Sequence, residues 1–258
     1  MSQVYVFAAS KMEGESIVQI ARSHGTEVSD SAAPFRAGPN HVALMITGMG
    51  PQAARAKAMQ AFSPLEGDGP RPVSFDKPEV ALVIGLCGGL AASLPESRVV
   101  AYTQCLSTEP RQYSLDCSPS LTARLRQLLA SSGIACEPAI GITSPRIGVN
   151  KKVKLALAEF GASAVDMESY EIMAVAAQAR VPAVVLRVVA DTLDSNLPDL
   201  NRALNAQGSL DGRKALRVAL GSPVRTYRLL ASNKRAIREL AKALAIVVPS
   251  NLFSEPTL

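Results

Sequence analysis

Tryptophan is absent from this 258-residue sequence, and phenylalanine and tyrosine bring aromatics to only 4%. Base-stacking surfaces need aromatic rings beside basic groups. The formal charge of +5 therefore does not point to a nucleic-acid partner, although a mild positive field still draws in an anionic or phosphorylated ligand. Histidine is scarce, with only His24 and His41. The four cysteines, Cys87, Cys105, Cys117 and Cys136, form no C-x-x-C pair, so the spacing of a structural zinc site is missing and no metal is expected. No apolar run approaches the ~20 residues that span a bilayer. A basic segment followed by an apolar one, the mark of a secretory signal, is not found at the N-terminus. The expectation is a reduced, cytoplasmic protein with no stable membrane insertion. The basic helix near the C-terminus leaves peripheral membrane contact open.

What is present is a globular core composition, 48% hydrophobic and 19% charged. That is enough for one α/β domain. The chain is organised around residues 162–191. A short apolar strand (162–165) leads to Asp166, Met167 and Glu168. A helix follows with Ile172, Val175, Ala176 and Ala179 at helical spacing. Pro182 breaks it, and the apolar run 184–189 ends in Asp191. Such a run is typical of a strand buried on both faces. Acids at the ends of such strands sit where open α/β sheets bind ligands, although each alone also fits a helix start or a strand end.

The rest of the chain alternates in the same way. Strands are expected at 4–9, 41–47, 79–85, 99–106 and 136–142. Helices are expected at 16–23, 51–62, 119–131 and 151–160, with short helices at 200–206 and 211–220 and a long basic one at 224–248. Glu13 and Glu15 fall on the turn before the first helix, and Leu86 to Leu90 reads as a glycine turn. The segment 107–118, with Arg111 and Tyr113, reads as a polar loop covering a site. Gly48-Met49-Gly50-Pro51-Gln52-Ala53 matches G-x-G-x-x-A, but the following Pro/Gly-rich stretch holds no strand ending in an acid, as a dinucleotide site requires. The alternation predicts a single three-layer α/β/α domain over residues 1–258, with a central mixed, mostly parallel sheet and a C-terminal helical extension over about 197–248.

Five segments taken together resemble the purine nucleoside phosphorylase and nucleosidase superfamily. They are Met12-Glu13-Gly14-Glu15, Thr47-Gly48-Met49-Gly50-Pro51, Gly85-Leu86-Cys87-Gly88-Gly89, the segment 161–169 around Asp166-Met167-Glu168-Ser169, and Arg187-Val188-Val189-Ala190-Asp191. Leu197-Pro198 and the segment 208–220 are similar to the hopanoid-associated branch, whose members act on adenosylhopane. The resemblance implies a nucleoside phosphorylase-like fold and cleavage of a purine N-glycosidic bond. By the same resemblance Asp191 protonates or hydrogen-bonds the leaving base, Glu168 binds the ribose hydroxyls and Met167 packs under the sugar. Glu15 matches the acid that activates water in hydrolytic members, with Glu13 in poorer register. Cys87 and Gly88 would line the base pocket with Ser144 nearby, and Gly50 would border the substrate. No cofactor is implied beyond inorganic phosphate as a candidate co-substrate, and a homo-oligomer is expected.

The chemistry suits these residue types. Breaking the bond leaves positive charge on the sugar and negative charge on the base, so a carboxylic acid near the base lowers the barrier by about 10²- to 10⁴-fold. Three departures stand out. Leu86 occupies a position where some phosphorylases carry serine, Val83 one where they carry arginine, and Ala190 replaces a serine common before the aspartate. Arg111, Arg146 and Arg22 are then the candidates for holding phosphate. Three readings stay open: a phosphorylase, a hydrolytic nucleosidase of the methylthioadenosine type, and a nucleoside-binding protein without catalysis.

Overall fold

The computed structural model describes residues 2–25, 34–62, 78–108, 114–205 and 211–254. The strands are β1 (Ser2–Ala8), β2 (Phe35–Ala37), β3 (Asn40–Ile46), β4 (Val80–Gly89), β5 (Val99–Ser107), β6 (Leu115–Asp116), β7 (Cys136–Thr143), β8 (Ala164–Asp166) and β9 (Ala183–Asp191). The helices are α1 (Lys11–Ser23), α2 (Pro51–Phe62), α3 (Pro119–Ser131), α4 (Lys151–Ala158), α5 (Ser169–Gln178), α6 (Gly212–Gly221) and α7 (Pro223–Val247), with 3-10 turns at Leu200–Ala203 and Asn251–Phe253. The loop containing Arg111 and Tyr113 lies outside the described residues.

All nine strands join one mixed sheet. β1 is parallel to β3 and β4, and β4 is parallel to β9. β9 then runs antiparallel to β5, β5 parallel to β7, and β7 parallel to β8. β8 returns antiparallel to the end of β4 through Val165–Gly88 and Ala164–Gly89. The strands β4, β9, β5, β7 and β8 thus close into a ring. A register shift at Cys87/Gly88 lets one strand serve both neighbours, as a bulge that bends a strand should. The expected glycine turn at Leu86–Leu90 is therefore corrected. Gly88 and Gly89 are strand, because long-range pairing with β8 outweighs glycine's local preference for turns.

Alternation along the strands sends side chains to two cores. Val4, Val6, Leu82, Ile84, Leu186 and Val188 pack with α1, α3 and α7. Tyr5, Phe7, Ala81, Val83, Val185 and Val189 pack with α2 and α5. Helices thus cover both faces of the sheet, giving the single mixed α/β domain. A smaller cluster of Leu90, Ile142, Leu157, Ala162 and Val165 seats α4. β9 is buried at every position, which accounts for its Val/Leu run.

α1 starts five residues before its expected position. The Ser10 side chain caps it by accepting from the Glu13 backbone N–H at 3.3 Å, the serine-x-x-glutamate pattern of a helix start. Among the described residues no helix is long and apolar enough to cross a membrane.

Candidate active site

A cleft of about 270 Å³ opens at the ends of β1, β4, β8 and β9. Its walls include Met12, Glu13, Met49, Leu86, Cys87, Gly88, Arg146, Met167, Glu168, Asp191, Leu197 and Leu229. Glu168 and Asp191, 23 residues apart in sequence, thus share one cavity.

The polar floor is a buried charge cluster. Arg187, 1% exposed, projects from β9 among three acids. Its Nε lies 3.5 Å from Asp166 Oδ2, and its Nη2 lies 3.6 Å from Glu168 Oε2. It also donates to Ser169 Oγ at 2.8 Å. Burial pulls its pKa down, but Asp166 and Glu168 more than reverse that, so the guanidinium stays charged. Asp166 braces the turn into α5, where its Oδ1 accepts from the Glu168 and Ser169 backbone N–H groups and from Thr143 Oγ1, each at 2.9 Å. Glu168 accepts from the Gly50 N–H at 3.0 Å. Burial pushes its carboxyl up to about 7, against the pull of Arg187 and with further upward push from Asp166 and Glu13. A single guanidinium among several acids leaves Glu168 as the group poised near neutral pH.

Glu13 enters the same cluster from the first turn of α1. Its Oε1 accepts from the Leu86 backbone N–H at 2.8 Å, and its Oε2 accepts from Ser10 Oγ at 2.9 Å. Gly85 makes room for it. A Cβ at Gly85 would lie 2.5 Å from Glu13 Oε1 and on top of the Arg187 guanidinium. Glu15, the acid expected to face the reaction, is placed elsewhere: its side chain is 51% exposed and faces Arg22 at 3.6 Å. The reason is helical geometry. With α1 starting at Lys11, residues two apart point about 200° from each other at 3.6 residues per turn. If Glu13 faces inward, Glu15 faces solvent.

Asp191 ends β9 at the other side of the cleft. Burial raises its carboxyl pKa, and the ammonium of Lys154 pulls it back down. Lys154, fully buried on α4, donates to Asp191 Oδ1 and to the Thr192 carbonyl. Met167, Cys87 and Gly88 line the cleft, whereas Gly50 reaches it through its N–H bond to Glu168. Ser144 is buried in its own turn, with its hydroxyl donating to the Arg146 carbonyl at 2.9 Å. The Cys87 thiol is pushed up to about 12 by burial, so it acts here as a small apolar wall and not as a nucleophile. Among the described residues no group of three or more His, Cys, Asp or Glu side chains is placed to hold a metal ion. Arg146 is the only cationic side chain among the described residues of the cleft wall, and Arg22 is spent on Glu15.

Two of these groups have no role assigned from the sequence. Arg187 is a lone charge inside an otherwise apolar strand, whereas Lys154 is one of three lysines in four residues. Asp166, picked out in the sequence beside Met167 and Glu168, braces the turn instead of facing a substrate alone.

Comparison with known proteins agrees with this fold. A futalosine hydrolase mutant from Helicobacter pylori superposes with a TM-score of 0.71 at 14% identity, covering 97% of this chain and 100% of that one. The 5′-methylthioadenosine/S-adenosylhomocysteine nucleosidase of Neisseria meningitidis, in complex with methylthio-immucillin-A, superposes with a TM-score of 0.70 at 16% identity, covering 96% and 99%. The Helicobacter pylori enzyme of the same name gives 0.67 at 15%, covering 94% and 96%. No curated protein matches the sequence. Residues 6–211 match the family described as the phosphorylase superfamily, and the chain belongs to that superfamily, which comprises nucleoside phosphorylases and nucleosidases.

Proposed function

We propose that the chain cleaves the N-glycosidic bond of a purine nucleoside, with water as the acceptor. The observation that carries this reading is the convergence of Glu13, Glu168 and Asp191 on one cleft. Asp191 faces the base and supplies its proton. Glu168 holds the ribose hydroxyls, fixing the sugar for attack, and Met167 packs beneath it. Glu13, its carboxylate held by the Leu86 N–H and the Ser10 hydroxyl, takes a proton from the attacking water. That water's oxygen bonds to the anomeric carbon as the C–N bond breaks, and the electron pair leaves with the base as Asp191 protonates it. Arg187 keeps the acid cluster from repelling itself apart and is itself occupied by Asp166, Glu168 and Ser169.

Phosphorolysis is the second reading, and Arg146 on the cleft wall is what favours it. A lone exposed arginine makes a weak phosphate cradle, so the hydrolytic reading is the stronger. The apolar wall of Met12, Leu197, Pro198 and Leu229 suits an apolar 5′ substituent, of which an adenosylated hopanoid is one member. Release of free adenine from adenosine and 5′-methylthioadenosine, followed with and without added phosphate, tests the reading. Release independent of phosphate is expected. Strict phosphate dependence would select the second reading, and no release from any purine nucleoside would overturn both.

A further inference from the structure

The C-terminal helices carry a surface that the cleft does not use. α6 has no buried residue. Leu216 and Leu220, one turn apart, are 60% and 72% exposed. The first turns of α7 carry Val224, Tyr227 and Leu230, spaced three residues apart and 62–74% exposed. Scattered surface hydrophobics are ordinary, but five large ones on two consecutive helices are not. The charge around them is one-sided. Residues 212–235 contain seven Lys and Arg and no Asp or Glu, more positive charge than the +5 of the whole chain. Arg235 pairs with Glu96 at 2.6 Å, whereas Arg213, Lys214, Arg217, Arg225 and Arg228 are exposed. Glu96, Asp191 and Asp194 border a groove with Arg225 and Arg228, and Asp211 caps the start of α6. Asp194 is itself paired with Lys151 at 2.7 Å.

We propose that α6 and the first half of α7 form a surface that docks on an anionic lipid bilayer. Exposed leucine, valine and tyrosine among arginines and lysines is the composition of a helix that lies in the membrane interface, its apolar side chains among the acyl chains and its cations on the headgroups. A second copy of this chain fits the face poorly. A symmetric contact puts the same patch on both sides, opposing two acid-free sets of seven cations. The docking surface also adjoins the cleft, because α7 contributes Leu229 and Asn233 to its wall directly after Tyr227 and Arg228. Docking would hold the cleft against the lipid headgroups, where a nucleoside with a lipid 5′ tail would lie. That last consequence rests on the nucleosidase reading, whereas the docking surface itself does not.

The test is co-sedimentation of the full chain with vesicles of phosphatidylcholine alone and of phosphatidylcholine mixed with phosphatidylglycerol. The expected result is binding to the mixed vesicles only, weakened by salt. Two triple variants separate the contributions: Leu216→Ser with Leu220→Ser and Val224→Ser, and Arg213→Glu with Lys214→Glu and Arg217→Glu. Each should weaken vesicle binding by at least about tenfold. Thermal melts and the rate of adenine release from a soluble nucleoside should stay unchanged in both, since none of these side chains is buried or lines the cleft. The proposal is overturned by absence of binding, by equal binding to neutral vesicles, or by unaltered binding in either variant. Retained binding in the apolar variant would mark simple adsorption of a basic protein to any polyanion, nucleic acid included. A dimer seen by light scattering and dissociated by the apolar variant, with no vesicle binding, would assign the face to a second copy. Vesicle binding without release of adenine would leave this proposal standing and remove the nucleosidase reading.

Discussion

The Lys154 ammonium donates to the Asp191 carboxylate with the lysine side chain wholly out of solvent. The pair opposes two effects. Burial favours the neutral acid at Asp191, and Lys154 favours the charged one. Lys154→Met removes only the second, so Asp191 should keep its proton to higher pH. The basic limb of the kcat/KM profile is expected to move upward, while Lys154→Arg leaves it near the wild-type position. Leaving a buried carboxyl without its partner should also cost about 3 kcal/mol in urea unfolding. A profile unmoved in Lys154→Met would show that the lysine serves packing alone.

Asp191→Asn keeps the shape of the side chain and removes the proton that the proposed mechanism takes from it. Turnover of adenosine is expected to fall by about 10²- to 10⁴-fold, with nucleoside affinity, measured by calorimetry, largely retained. Unchanged turnover would take Asp191 out of the reaction.

Glu13 and Glu15 are two residues apart and point in opposite directions, so they make a matched pair of controls. Glu13→Gln should lower turnover by about 10²-fold or more. Glu15→Gln, exposed beside Arg22, should stay close to wild type in both turnover and melting temperature. The reverse result would return the water-activating role to Glu15.

Glu168 makes stability depend on pH. Burial raises its carboxyl from 4.5 to about 7 in the folded chain. Between those values the folded state holds a proton that the unfolded state has released. Stability should therefore fall as pH rises through that window, by about 1.4 kcal/mol for each pH unit crossed. Asp191, also raised by burial, acts in the same direction. Urea midpoints for wild type and Glu168→Gln, taken near pH 5 and near pH 8, should show the wild type losing more stability than the variant. Equal losses would place the titration elsewhere.

Much of the fold was legible wherever local periodicity agreed with tertiary packing. α3 spans the expected residues 119–131, because Leu121, Leu125 and Leu128 mark one apolar face that packs on the core. The start of α1 was not legible. Its capping serine lies in a polar stretch without apolar periodicity, so nothing local showed that Glu13 faces the cleft while Glu15, favoured by the family resemblance, faces solvent. The strand at Gly88–Gly89 depends on β8, whose Ala164 lies 75 residues beyond its partner Gly89. Over that distance local propensity carries no information. Asp166, Met167, Glu168 and Asp191 could be singled out because acids end two apolar strands. Lys154 could not, since the sequence does not record which of three neighbouring lysines turns inward.

The closed ring of β4, β9, β5, β7 and β8 has a consequence for motion. Each member has a strand neighbour on both sides over part of its length, so the rear wall of the cleft is not built on an edge strand. Amide protons in β4 and β9 should therefore exchange with deuterated water only when the whole domain unfolds. α6, with nothing buried, should exchange through cheap local openings that leave the carboxylates undisturbed. Local motion falls to that outer helix, while Asp166 and Asp191 rest on the hoop.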